Sequence, residues 1–110
     1  MSDDFNFMLD MEPCPVETTV NLISNKWKVL ILRELLSGTK RFGELRRGIG
    51  EVSQKVLTEN LRSMEHDGIV DRIEYDENPP RVEYKLSELG DSMKPVIEAM
   101  QNWGIAYLNR

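Results

Sequence analysis

The spacing of apolar residues changes at Asp67-Gly68 and changes back at Ser87. Before the first point they recur at helical intervals. Between the two points they alternate, in the short runs Ile69 to Tyr75 and Arg81 to Leu86; after Ser87 the helical interval returns. The second run is regular, with Val82, Tyr84 and Leu86 set against Arg81, Glu83 and Lys85, whereas Asp71 interrupts the first. Asp76-Glu77-Asn78-Pro79-Pro80 between them has turn chemistry and cannot extend a ladder. The pattern predicts an α+β chain, mostly α, with one two-stranded hairpin set among helices.

Met1 to Pro13 shows no sustained periodicity and reads as an arm, which leaves residues 14–110 as one domain. A first helix of about ten residues is expected from Cys14-Pro15-Val16-Glu17, with Val16, Val20 and Ile23 on one side. Ser24-Asn25 recaps the chain for a second helix through Trp27, Leu30, Ile31 and Leu35, closed by Ser37-Gly38. Phe42, Leu45 and Ile49 mark a short third helix carrying Arg41, Arg46 and Arg47, followed by a turn over Gly48 to Val52. Ser53 is a good N-cap for a fourth helix that buries Leu57, Leu61 and Met64 and exposes Lys55, Glu59 and Arg62. From Ser87 a stripe of Leu89, Met93, Val96 or Ile97, Met100, Trp103 and Tyr107 runs on; Pro95 inside it predicts a kink near Met93 or two successive helices.

Composition narrows the function. At 110 residues the chain is of single-domain size, and a chain this small leaves apolar surface for a partner. Its longest aliphatic run, Val29 to Leu32, is far short of the ~20 residues of a membrane span. The acidic start is unlike a secretory signal, so a cytoplasmic location without membrane contact is expected. One cysteine, Cys14, and one histidine, His66, supply neither a dense metal-ligand set nor a Ser/His/Asp or Cys/His catalytic arrangement. The expectation is a protein with no enzymatic activity and no cofactor.

Charge is unevenly distributed. Residues 1–25 hold five acids and no base; residues 26–62 hold nine bases against four acids, a net +5; residues 63–110 hold five bases against ten acids. An acidic protein with one anion-binding face would show this asymmetry, as would a solvated helix surface.

Three helices, the third joined to a fourth by a glycine-bearing turn and followed at once by a hairpin, is the order of a winged helix-turn-helix. The fourth helix would be the recognition helix, since its N-terminal residues Ser53, Gln54, Lys55 and Thr58 are of the type that meets base edges. Arg81 at the hairpin would serve the wing, or pair with Glu83 or Glu77. A winged helix used for protein-protein contact, without DNA binding, is the alternative that the acidic wing suits.

Several motifs resemble the HxlR-type bacterial transcription regulators. They are Cys14-Pro15-Val16, Lys26-Trp27-Lys28 with Leu30-Ile31-Leu32, Arg41-Phe42-Gly43-Glu44-Leu45-Arg46-Arg47, Ser53-Gln54-Lys55-Val56-Leu57-Thr58, Leu61-Arg62, Glu65-His66-Asp67-Gly68-Ile69-Val70, and Pro79-Pro80-Arg81-Val82-Glu83-Tyr84-Lys85-Leu86. The resemblance runs from Cys14 to about Gly104. It implies a winged helix related to the MarR fold, and a homodimer built from the first and last helices that binds double-stranded DNA at a pseudo-palindromic operator. Carried over, Ser53, Gln54, Lys55, Thr58 and Arg62 would contact DNA from the recognition helix, Arg41 and Arg46 would hold phosphates, and Arg81 would serve the wing. Cys14 is in itself either an inert cap residue or a reactive thiol; the resemblance implies a thiol switch for a small oxidant or electrophile. Two departures stand out: Ser24-Asn25 replaces a small glycine pair, and Asp76 and Glu77 lie where the wing would approach phosphates.

Overall fold

The computed structural model describes residues 10–110, so most of the predicted arm lies outside the described residues. The first helix, α1, spans Pro15–Leu22, eight residues rather than ten. Pro15 suits the first helical position because its missing N–H would be unpaired there in any case. Cys14 occupies the N-cap without a side-chain cap bond; its carbonyl accepts from both the backbone N–H and the Oγ1 of Thr18, each at 2.9 Å. None of the α1 side chains is buried.

Helix α2, Lys26–Leu36, begins at Asn25, whose Oδ1 accepts from the Lys28 N–H at 3.0 Å. It contributes Ile31, Leu32 and Leu35 to the core. The two-residue strand β1, Lys40–Arg41, leads into α3, Phe42–Ile49. The helix ends at Ile49, one of the residues that marked it, so Gly48 is helical rather than part of the turn, and Gly50 at φ 104° makes the break. Helix α4, Gln54–His66, opens on the predicted cap, with Ser53 Oγ accepting from the Val56 N–H at 3.1 Å. Leu57, Leu61 and Met64 are buried beneath it, as the spacing predicted.

Strands β2, Val70–Tyr75, and β3, Arg81–Leu86, form the hairpin. The sheet has three strands rather than two, in the order β1-β3-β2: Lys40 and Arg41 pair antiparallel with Tyr84 and Glu83. A two-residue strand carries no periodicity, which is why the sequence did not reveal it. After β3 the second alternative holds: α5, Glu88–Asp91, and α6, Lys94–Leu108, are separate helices, with Pro95 in the first turn of α6, where it removes no helical hydrogen bond.

The core lies between α2, α3, α4, the sheet and the start of α6, and holds Leu45, Ile69, Val70, Tyr84, Leu86, Met93 and Ile97 besides the residues already named. Little of the apolar surface of α1 and of the second half of α6 enters it. Val16 and Trp103 are 70% exposed and Leu108 79%. Trp103 and Tyr107 stack on each other with ring centroids 5.3 Å apart, and the Arg110 guanidinium covers Tyr107 at 3.8 Å. Between α1 and α6 runs a groove of about 440 Å³, walled by Pro15, Val16, Val20, Ile23, Val96 and Met100. No helix among the described residues is long and apolar enough to cross a membrane.

Candidate nucleic-acid interface

Helix α4 separates an apolar side from a polar one. Ser53, Gln54, Lys55, Glu59 and Arg62 are exposed and Thr58 half-buried, while Leu57, Asn60, Leu61 and Met64 face inward. The Ser53 cap fixes the start of the helix, so Gln54 and Lys55 stand on its first turn, where side chains project past the unpaired N–H groups.

The turn before α4 is held by a predicted site residue. Arg46 Nε donates to the Val52 carbonyl at 2.9 Å, which ties α3 to the segment that launches α4. Only part of the Arg46 guanidinium is committed by that bond, and its side chain is exposed. Arg41, also exposed, stands at the N-cap of α3, where its backbone N–H donates to Glu44 Oε1 at 2.9 Å.

The remaining candidates gather in two places. Arg41 and Arg81 border one cleft of about 470 Å³ between the start of α3 and the hairpin tip, together with Glu77 and Pro79-Pro80. Thr58 and Arg62 border a second hollow of about 410 Å³ against β2 and β3, with Glu65, Arg72 and Tyr84. Arg72 is a cation next to the candidate face that the sequence reading missed; it sits on an interrupted strand and is ion-paired with Glu74.

Arg81 is held within its own hairpin. Its Nη2 lies 3.1 Å from Glu77 Oε1, its guanidinium carbon is 4.1 Å from the centre of the Tyr75 ring, and its Nε is buried without a partner among the described residues. Of the two acids considered for it, Glu77 is the partner found. A hydrogen-bonding contact with Glu83 holds the Tyr75 phenol above its ordinary value. The clean alternation expected in β3 is lost at its start, where Arg81, Val82 and Glu83 are all half-buried. Lys28, one of the nine bases in the basic block, is itself buried and adds nothing to the exposed face. Cys14 is half-buried at the start of α1, on the far side of α2 in chain order from α3 and α4.

A helix-turn-helix made by α3 and α4, backed by α2 and closed by a hairpin, defines the winged-helix class. The chain belongs to the HxlR-like helix-turn-helix family, whose family model matches residues 22–110. It is 46% identical over 101 residues to the HTH-type transcriptional regulator YdeP of Bacillus subtilis, covering 92% of this chain and 79% of that one. Its structure is similar to that of the regulator YtcD, at a TM-score of 0.83 and 44% identity, over 87% of this chain and 98% of the other. It is also similar to the redox regulator HypR in its oxidised form, at a TM-score of 0.80 and 43% identity, over 84% and 96% of the two chains. The family is one of transcription regulators, a non-enzymatic kind of function.

Proposed function

We propose that the protein binds duplex DNA as a homodimer at a pseudo-palindromic operator and regulates transcription there, without enzymatic activity, in the cytoplasm. The observation that carries this reading is the exposed first turn of α4, Ser53-Gln54-Lys55, aligned with Thr58 and Arg62 over an underside that is apolar except for Asn60. In this reading Gln54 and Lys55 read base edges, Ser53, Thr58 and Arg62 support them, Arg41 and Arg46 hold phosphates, and Arg81 serves the wing. The exposed apolar sides of α1 and α6 favour the dimer, since pairing them across a two-fold axis would remove Val16, Trp103 and Leu108 from water. Such a dimer places two α4 helices about 34 to 36 Å apart, one turn of DNA.

The direct test compares a duplex enriched from a random pool by the protein with a scrambled duplex of equal length, in mobility shifts alongside sedimentation. A dimer is expected. Gln54→Ala and Lys55→Ala should each cost about 1 to 3 kcal/mol on the enriched duplex and less on the scrambled one. Arg81→Ala should weaken both alike. Equal losses on both duplexes for all three variants, or a protein that is monomeric free and on DNA, would overturn the assignment.

The Arg81-Glu77 pair adds a second expected result. To grip a phosphate, Arg81 has to exchange one anion for another, so Glu77→Gln should tighten binding to both duplexes, by up to about fivefold for a pair that is only partly exposed. Weaker binding by this variant would show that Glu77 orients Arg81 rather than competing for it.

Control by thiol chemistry at Cys14 is part of the same proposal, favoured by the likeness to a redox regulator. With one thiol per chain, a small oxidant or electrophile gives either a disulfide to the second subunit or a mixed adduct. Diamide should change operator binding by the wild type and leave Cys14→Ser unaffected; identical responses would reduce Cys14 to a structural residue.

A further inference from the structure

Helix α4 rests on the core mainly through Leu57, Leu61 and Met64. Apolar packing of this kind is non-directional and sets how deep a helix lies better than how far it is turned about its own axis. The rotation matters here: at a side-chain radius of about 5 to 6 Å, a turn of roughly 20° moves an exposed side chain by about 2 Å. That displacement exceeds what a hydrogen bond to a base edge tolerates.

One polar contact opposes such a rotation. Asn60, on the inner side of α4 and 9% exposed, accepts at Oδ1 from Asn25 Nδ2 at 2.9 Å. Its own Nδ2 donates to the Val56 carbonyl one turn earlier, at 2.8 Å. Asn25 in turn accepts at Oδ1 from the Lys28 N–H at 3.0 Å, as the cap of α2. The relay therefore runs from the backbone of α2 through two amides to the backbone of α4, with a fixed donor and acceptor at each step. An apolar residue in place of Asn60 would bury without needing a partner, so the amide adds direction rather than burial.

We propose that Asn25 and Asn60 are positioning residues for DNA recognition, fixing the rotation of α4 against the start of α2. Neither touches DNA; they act through Gln54, Lys55 and Thr58 on the same helix. The proposal rests on the reading of α4 as the recognition helix.

The test uses the full-length protein, the enriched and scrambled duplexes, and two variants. Asn25→Ser keeps a good N-cap and removes only the donor to Asn60. Asn60→Leu removes both amide contacts while keeping a buried side chain of similar size. Binding is measured well below the thermal midpoint of each variant. Both variants should bind the scrambled duplex as the wild type does and lose about tenfold of the preference for the enriched one. A merely structural role would lower the active fraction, reducing binding to both duplexes in proportion and leaving the preference intact; that outcome overturns the proposal. So does an unchanged preference in Asn25→Ser should Asn60→Leu fail to fold. A wild type that enriches no duplex overturns the DNA reading itself, and the positioning role with it; a wild type that enriches one, with variants of equal preference, overturns the positioning role alone.

Discussion

Raising the salt concentration from 50 to 200 mM should weaken binding to duplex DNA by about a thousandfold to ten-thousandfold. Each phosphate neutralised releases counterions and adds roughly −0.9 to the slope of log K against log salt. If each subunit neutralises three or four phosphates, a dimer should show a slope of about −5 to −7. The structure limits which cations are available for this. Arg33, Arg72, Arg81 and Lys94 are ion-paired with Glu34, Glu74, Glu77 and Glu98, and Lys28 is buried. Arg41, Arg46, Arg47, Lys55 and Arg62 are exposed and make no ion pair among the described residues; all five lie on or beside α3 and α4. Five such cations accommodate three or four contacts without help from the wing. A slope near zero, measured by fluorescence anisotropy over this salt range, would leave the protein-interaction reading, which the acidic hairpin would then favour.

The largest expected effect on stability comes from a single methyl group at Gly90. A Cβ built there would lie 2.2 Å from the Ile69 carbonyl oxygen and 3.2 Å from Leu86 Cβ and Cδ2. The carbonyl is backbone and is held in place, since it accepts from the Ser87 N–H at 3.0 Å while the Gly90 N–H donates to Ser87 Oγ at 3.0 Å. Relief would require α5 to withdraw from the hairpin. Gly90→Ala should therefore cost about 3 kcal/mol, near the upper end for overpacking, and lower the thermal midpoint by roughly 12 to 24 °C in a domain of this size. Gly48→Ala is the contrasting case. Its Cβ would meet Glu34 Oε1 at 1.8 Å, a closer approach on paper, but to the end of a flexible carboxylate. Glu34 can swing away at the loss of an exposed ion pair with Arg33, and alanine favours the helix by about as much. Its midpoint should stay within a few degrees of the wild type. Calorimetry that ranked the two the other way would contradict the close approach of α5 to the hairpin.

The elements that were legible in the sequence are those whose pattern repeats within one segment. The cap at Ser53, the underside of α4 and the limits of β3 all follow from local chemistry or periodicity, and the structure has them where they were expected. The order of these elements, more than any one of them, pointed to the winged helix. Contacts between segments were not legible. The hydrogen bond from Asn25 to Asn60 joins residues 35 positions apart, and each asparagine alone looks like an ordinary polar residue. β1 is too short for any pattern, and the holding of Arg81 by Glu77 and Tyr75 depends on how the hairpin tip folds back. Lys28 belongs to the basic block by sequence yet is buried, because charge counting along a chain takes no account of burial.

The strand order has a mechanical consequence. With β3 in the centre, β1 joins the hairpin to the residue that starts α3, so Arg41 is at once a rung of the sheet and the cap of the helix-turn-helix. The hairpin is thereby clamped along its middle, at Glu83 and Tyr84, and cannot swing as a separate lever. In the proposed dimer each subunit would meet the double helix as one stiff caliper arm, and the freedom left to a signal would be the angle at which two such arms are joined.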